Sequence, residues 1–88
     1  MATLKITRTA QAAGRLELAL EGRLTQAYVG LLQDVCAETR AAALRLDLSG
    51  VAFVDSAGVR ALIALERDGA LLHGGSSLVH ELLQEGRS

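Results

Sequence analysis

Ser56 is the residue best placed to do chemistry. It follows Asp55 where an apolar run, Val51-Ala52-Phe53-Val54, gives way to Val59, Leu62, Ile63 and Leu65 at helical spacing. A serine at the head of a helix accepts a hydrogen bond from an amide that the first turn leaves without a partner. The same amides, together with the helix dipole, favour a negative group such as phosphate. Ser56 therefore reads in two ways, as a structural cap or as a phosphorylation switch.

Other chemistries lack their parts. His73 and His80 stand on separate predicted elements, and Cys36 is the single cysteine, flanked by Val35 and Ala37 in a helical apolar pattern. Cys36 is read as a small buried hydrophobe, and the two histidines as packing or solvent-edge residues. One cysteine and two unclustered histidines do not make a zinc site, so neither metal nor cofactor is expected. Asp47, Asp55 and Ser56 lack the G-x-S-x-G elbow and a histidine placed to act as base. There is no Walker loop and no dinucleotide fingerprint. Gly74-Gly75-Ser76-Ser77 is a weak anion cradle, and a nucleotide-binding reading would rest on open amides at Ser56 and Ser76. The chain reads as a binding module, not an enzyme.

The elements that must position Ser56 follow from hydrophobic period. Leu44, Leu46 and Leu48 alternate with Arg45 and Asp47, which predicts a central strand over 44–48. Residues 3–8 alternate weakly, residues Thr9–Arg15 read as a turn, and Leu16–Glu21 alternate cleanly, as in an antiparallel or edge strand with one wetted face. Gly22-Arg23-Leu24 ends that strand. Thr25 can cap a helix with Tyr28, Leu31, Leu32, Val35, Cys36 and Thr39 in one stripe. Gly30 costs that helix about 1 kcal/mol relative to alanine. Arg40 to Ala43 leads to the central strand. A helix over about 57–66 stops at Asp68-Gly69, and 70–73 make a short strand. Ser76 or Ser77 caps a last helix with Leu78, Val79, Leu82 and Leu83 on one face, followed by a frayed tail over 85–88. The order β-β-α-β-α-β-α requires right-handed crossovers between parallel strands. The expected fold class is α/β, a small mixed four-stranded sheet with three helices.

Size and charge narrow the partners. The chain has 88 residues, one domain's worth, and half are apolar with Tyr28 and Phe53 as its only aromatics. The core is therefore aliphatic. Nine basic residues against ten acidic ones give a net charge of -1, which argues for neither nucleic acid nor an anionic membrane surface. No apolar run reaches spanning length and the N-terminus lacks a signal-type core, so no membrane insertion is expected and the cytosol is the expected compartment.

The stretch LRLDLSGVAFVDSAGVRALIAL resembles the STAS domain family. The family includes bacterial anti-sigma factor antagonists, cytoplasmic domains of sulfate-type transporters and a subunit of a bacterial lipid-transport complex. The resemblance extends to the acidic end of the second strand with Gly22, the DSAG junction at Asp55–Gly58, the Asp68-Gly69 turn and the short strand before GGSS. It implies one STAS-like domain over 1–88, with a final helix shorter than the family's common form, a truncation at the C-terminus that either reduces the kinase-binding surface or leaves the last helix for another molecule to complete.

What the resemblance implies for function is specific. In antagonists of the family the hydroxyl after the junction acid is phosphorylated by a partner that is both anti-sigma factor and serine kinase, an ATPase of histidine-kinase type. That position matches Ser56, and Asp55 matches the preceding acid; a second hydroxyl common in the family is Ala57 here. The unphosphorylated form binds the anti-sigma factor, and a phosphatase resets the phosphorylated one. Partner contact is expected at Asp55, Ser56, Ala57, Gly58, Val59 and Arg60. Arg60, one helical turn beyond Ser56, either faces the added charge or is simply solvated. First-turn amides are expected to offset part of that charge. The alternative is a STAS adaptor subunit of a membrane lipid-transport or other transporter complex that meets no kinase. Apolar residues around Val59 and Leu62 would serve a homodimer or the core equally well.

Overall fold

Leu16, Leu18 and Leu20 alternate with Glu17, Ala19 and Glu21, and this alternation folds as strand β2 (Arg15–Leu24). The three leucines are fully or almost fully buried, whereas Glu17 and Ala19 are half-exposed on the opposite face. The computed structural model describes residues 4–12, 15–39 and 43–87. Gly14, residues 40–42, Thr3, Ser88 and the Thr39 side chain, all used in the sequence reading, lie outside the described residues.

Strand β1 (Leu4–Ala12) pairs antiparallel with β2, and β2 pairs parallel with β3 (Ala43–Val54), which pairs parallel with β4 (Leu71–His73). The sheet order is β1-β2-β3-β4. Helix α1 (Gln26–Thr39) joins β2 to β3, α2 (Ser56–Arg67) joins β3 to β4, and α3 (Ser77–Arg87) follows. This is the expected β-β-α-β-α-β-α mixed sheet. Leu18, Leu20, Leu46 and Leu48 from the strands share one aliphatic core with Leu32, Leu62, Val79 and Leu83 from the three helices. The helices therefore cover the leucine face, and the other face is open, carrying Glu17, Arg45 and Asp47 together with the exposed Leu71.

Several boundaries differ from the sequence reading. β1 runs to Ala12, because a bulge between Arg8 and Ala10 lets pairing continue where the alternation is lost. β2 is an interior strand, antiparallel to β1 as one of its two expected positions allowed, and its wetted face reflects a sheet covered on one side and not an edge position. The two apolar runs 44–48 and 51–54 are one strand, β3, whose register against β2 shifts between Ala19 and Glu21 and again between Gly22 and Arg23. These shifts turn Val51 and then Val54 inward, each at most 3% exposed, which no simple two-residue period would give. Asp47 accepts the Ser49 amide at 2.9 Å and the Ser49 hydroxyl at 2.5 Å, holding the first irregularity in an Asx-type turn.

The α1 stripe is narrower than its spacing suggests. Leu32 is buried and Tyr28, Val35 and Cys36 are half-buried, but Leu31 is 49% exposed, since α1 packs chiefly on β2 and α2. Burial pushes the Cys36 thiol up from its ordinary value, which suits an unreactive packing residue. Ser76 accepts the Val79 amide at 3.3 Å, so it, not Ser77, caps α3. The expected fray at 85–88 is corrected: α3 stays helical through Arg87, which grips Glu66 of α2 with a 2.8 Å ion pair. Gly86 allows that closeness, because a β-carbon there would run into Val59 and Ile63.

Candidate functional site

Two βα junctions meet at the C-terminal ends of β2 and β3. The β2 ladder ends at Leu24, whose carbonyl accepts the Asp55 amide at 3.1 Å, extending the β2–β3 pairing by one bond. That bond fixes Asp55 in extended backbone, φ -82° and ψ 179°, directly ahead of α2. Arg23 lies over the Phe53 ring, 5.1 Å from its centre, and fastens the same two strand ends from the polar face.

Asp55, not Ser56, is the N-cap of α2. Its Oδ1 accepts the Gly58 amide at 2.8 Å, and its Oδ2 accepts the Gln26 amide, the first of α1, at 2.9 Å. The sequence reading left Ser56 as either cap or switch; the cap falls to Asp55 because its bond to the Leu24 carbonyl holds it in extended backbone and the helix begins at the next residue. Aspartate caps as well as serine does. The bond from Gly58, then those from Gln26 and Ala57 and the nearby Arg60 charge, hold the Asp55 carboxyl below the usual carboxylate range against a smaller opposing effect of burial.

Ser56 is the first residue of α2 and is exposed. Its hydroxyl makes no hydrogen bond among the described residues. Ala57 is half-buried beside it, Gly58 and Val59 are buried, and Arg60 is exposed. Gly58 is tightly enclosed: a β-carbon would stand 2.6 Å from the Leu24 carbonyl oxygen and 2.7 Å from Val54 Cγ1. Val59 is 6% exposed and Leu62 is fully buried, so these two belong to the core and offer no surface to a second copy.

Two shallow hollows flank Ser56 and Ala57, and Arg60 lines both. One, of about 350 Å³, lies between α2 and α3 and is closed by Leu82, Glu85 and Gly86. The other, of about 380 Å³, lies between α2 and α1, with Gln26, Val29 and Gly30 on its far wall. Gln26, Leu24 and Glu85 were missed by the sequence reading. The pairing of Asp55 with Gln26 spans 29 positions and leaves no local pattern. The α3 residues were hidden by the expectation of a frayed end.

Of the amides at the head of α2, that of Ser56 has no partner among the described residues, and the next three are engaged. Gly58 and Ala57 serve Asp55, and the Val59 amide donates to the Asp55 carbonyl at 2.9 Å. His73 stands at the register of Asp47, roughly 20 Å along β3 from Val54, with its Nε2 3.4 Å from Glu17 Oε1 in a geometry that is not a hydrogen bond. It is remote from Ser56. Among the described residues no group of three or more side chains could hold a metal ion, and no helix is long and apolar enough to cross a membrane.

The sequence model of the family described as "Mlab, STAS domain" matches residues 7–86. Among curated proteins none matches the chain in sequence. In structure the chain is similar to the anti-sigma factor antagonist SpoIIAA in its unphosphorylated form, with a TM-score of 0.79 at 15% identity over 94% of this chain and 81% of that one. It is also similar to part of murine solute carrier 26 family member A9, an anion transporter, with a TM-score of 0.61 at 20% identity. That match covers 98% of this chain but 18% of the transporter. At these identities the likeness is one of fold.

Proposed function

The chain belongs to the STAS domain family, and on that premise we propose that it is a regulatory binding module of the anti-sigma factor antagonist kind, switched by phosphorylation of Ser56. One observation carries this reading. Because Asp55 does the capping, the Ser56 hydroxyl is exposed and without structural duty at the head of α2. The likeness to an antagonist fold in its unphosphorylated form supports it further.

In this reading the partner is an anti-sigma factor that is also a serine kinase of histidine-kinase-like ATPase type, working in the cytoplasm, with a phosphatase to reset the switch. It covers Asp55, Ser56, Ala57 and Arg60, which rest on buried Gly58 and Val59. Phosphate adds about -1.5 to -2 charge beside Asp55. Covering that charge without a cationic partner costs several kcal/mol, and each ~1.4 kcal/mol is a tenfold loss of affinity. The test is direct. Incubation with the cognate kinase and ATP should add one phosphoryl group, Ser56→Ala should prevent it, and Ser56→Asp should lose the partner in a pull-down. Phosphate on Thr25 or Ser76 instead would refute the assignment.

The "Mlab" description of the matching family favours a second reading, an adaptor subunit of a transporter complex in which Ser56 is never modified. Co-purification with a membrane ATPase, equally strong for wild type and Ser56→Asp, would select it.

A further inference from the structure

What a phosphate on Ser56 would meet is set by its neighbours, and the inference rests on the phosphorylation reading above. We propose that Asp55 occupies the anion position at the head of α2, so that a phosphate on Ser56 is held off the helix and displayed to the partner. A helix N-terminus ordinarily receives a phosphate through its unpaired amides. Here the Gly58 amide already serves the Asp55 carboxylate with Ala57 beside it, and the Val59 amide donates to the Asp55 carbonyl, so the Ser56 amide is the one left at this helix head among the described residues.

Asp55 does not yield easily. Its Oδ2 holds Gln26 at 2.9 Å while its Oδ1 holds Gly58 at 2.8 Å. A phosphate that displaced it would release the heads of two helices at once and set two anions against each other. The remaining surroundings do not favour turning inward either. Across the α2–α3 hollow stands Glu85, and Arg60 is the only cation among the hollow's lining residues. Two carboxylates against one exposed guanidinium leave the site acidic. The domain therefore absorbs little of the new charge, because the first-turn amide left to offset it is that of Ser56 itself. A partner resting on this face meets the phosphate largely unneutralised, which makes the switch steeper for the same single modification.

The test places phosphoserine at position 56 of the full chain by genetic code expansion, so that no kinase is needed. Titration followed by phosphorus NMR reads the second ionisation of the phosphate. The expected value lies above the ~6 of an ordinary phosphoserine, with the Gly58 and Gln26 amide resonances unmoved through the titration. In Asp55→Ala, checked for a native circular dichroism spectrum, the value should fall below that of the wild-type background and the Gly58 resonance should follow the titration. A wild-type value at or below ~6, with Gly58 and Gln26 moving, would mean that phosphate has displaced the carboxylate and would overturn the inference. That measurement stands even if Asp55→Ala does not fold. Absence of phosphorylation by any kinase would instead count against the functional reading alone.

Discussion

The carboxylate of Asp55 accepts the backbone amide of Gln26 at 2.9 Å, across 29 positions of sequence. Through its other oxygen the same side chain caps α2 at Gly58, and through its own amide it extends the β2–β3 ladder to Leu24. One residue thus ties two strand ends to two helix heads. Ser56 is the next residue along and takes no part in that knot. Rigidity and accessibility are divided between neighbours, which is what a modification site needs if its change is to be read by a partner and not by the fold.

This division separates the two side chains energetically. Asp55→Ala removes an N-cap, worth ~1 kcal/mol, and leaves the Gln26 amide without its acceptor, at a further ~1 kcal/mol. The expected loss is about 2 kcal/mol, read from urea unfolding midpoints. Ser56→Ala should stay within ~0.5 kcal/mol of wild type. An equal loss at both positions would show that the serine shares the capping duty.

Acid should weaken the fold through the same carboxylate. The Gly58 bond holds the Asp55 carboxyl below its ordinary range, and the Ser49 hydroxyl and then its amide do the same for Asp47. The unfolded chain therefore binds protons first as pH falls. The stabilising contribution is complete above the unfolded value of ~3.9 and is lost as pH drops through the lower folded values. Urea midpoints taken from neutral to strongly acid solution should fall for wild type and fall less for Asp55→Ala combined with Asp47→Ala. Parallel curves would mean that other carboxylates govern the acid limb.

Much of this was legible beforehand because β2 and α2 obey one period each. Leu16, Leu18 and Leu20 mark a half-covered strand, and the change from the run Val51–Val54 to the helical spacing of Val59, Leu62 and Ile63 places Asp55 and Ser56 at a strand-to-helix junction. What stayed hidden depended on departures from period or on distance. β3 carries irregularities near Ser49 and Ala52 that break its alternation, so its two halves looked separate. The cap passed to Asp55 because Leu24, far away in sequence, accepts its amide. Arg87 looked like a loose end because its partner, Glu66, lies on another helix.

Two glycines in neighbouring helices should respond oppositely to alanine. At Gly30 a β-carbon meets nothing within 4 Å, and the position is an exposed helix interior. Gly30→Ala should stabilise by ~0.5–1 kcal/mol through helix propensity. At Gly58 the β-carbon would press against the Leu24 carbonyl oxygen at 2.6 Å, which is backbone and bonded to Asp55. Gly58→Ala should cost ~1–3 kcal/mol and disturb the Gln26 amide resonance as the knot shifts. Equal effects at the two sites would contradict the close packing of α2 on β2.

The grip of Arg87 on Glu66 closes the far end of the α2–α3 face. The guanidinium Nε and Nη2 both reach Glu66 Oε1, at 3.1 and 2.9 Å, and Nη2 also reaches Oε2 at 2.8 Å. Both side chains are close to 40% exposed, so solvent screens much of the attraction. A double-mutant cycle of Arg87→Ala and Glu66→Ala should therefore return a coupling of about 0.5–1 kcal/mol, shrinking in molar salt. Because Gly86, beside Arg87, lies against Val59 and Ile63, loosening this pair should also raise hydrogen exchange in the last turn of α3. A coupling near zero, with exchange in that turn unchanged, would mean that α3 is held by Val79 and Leu83 alone.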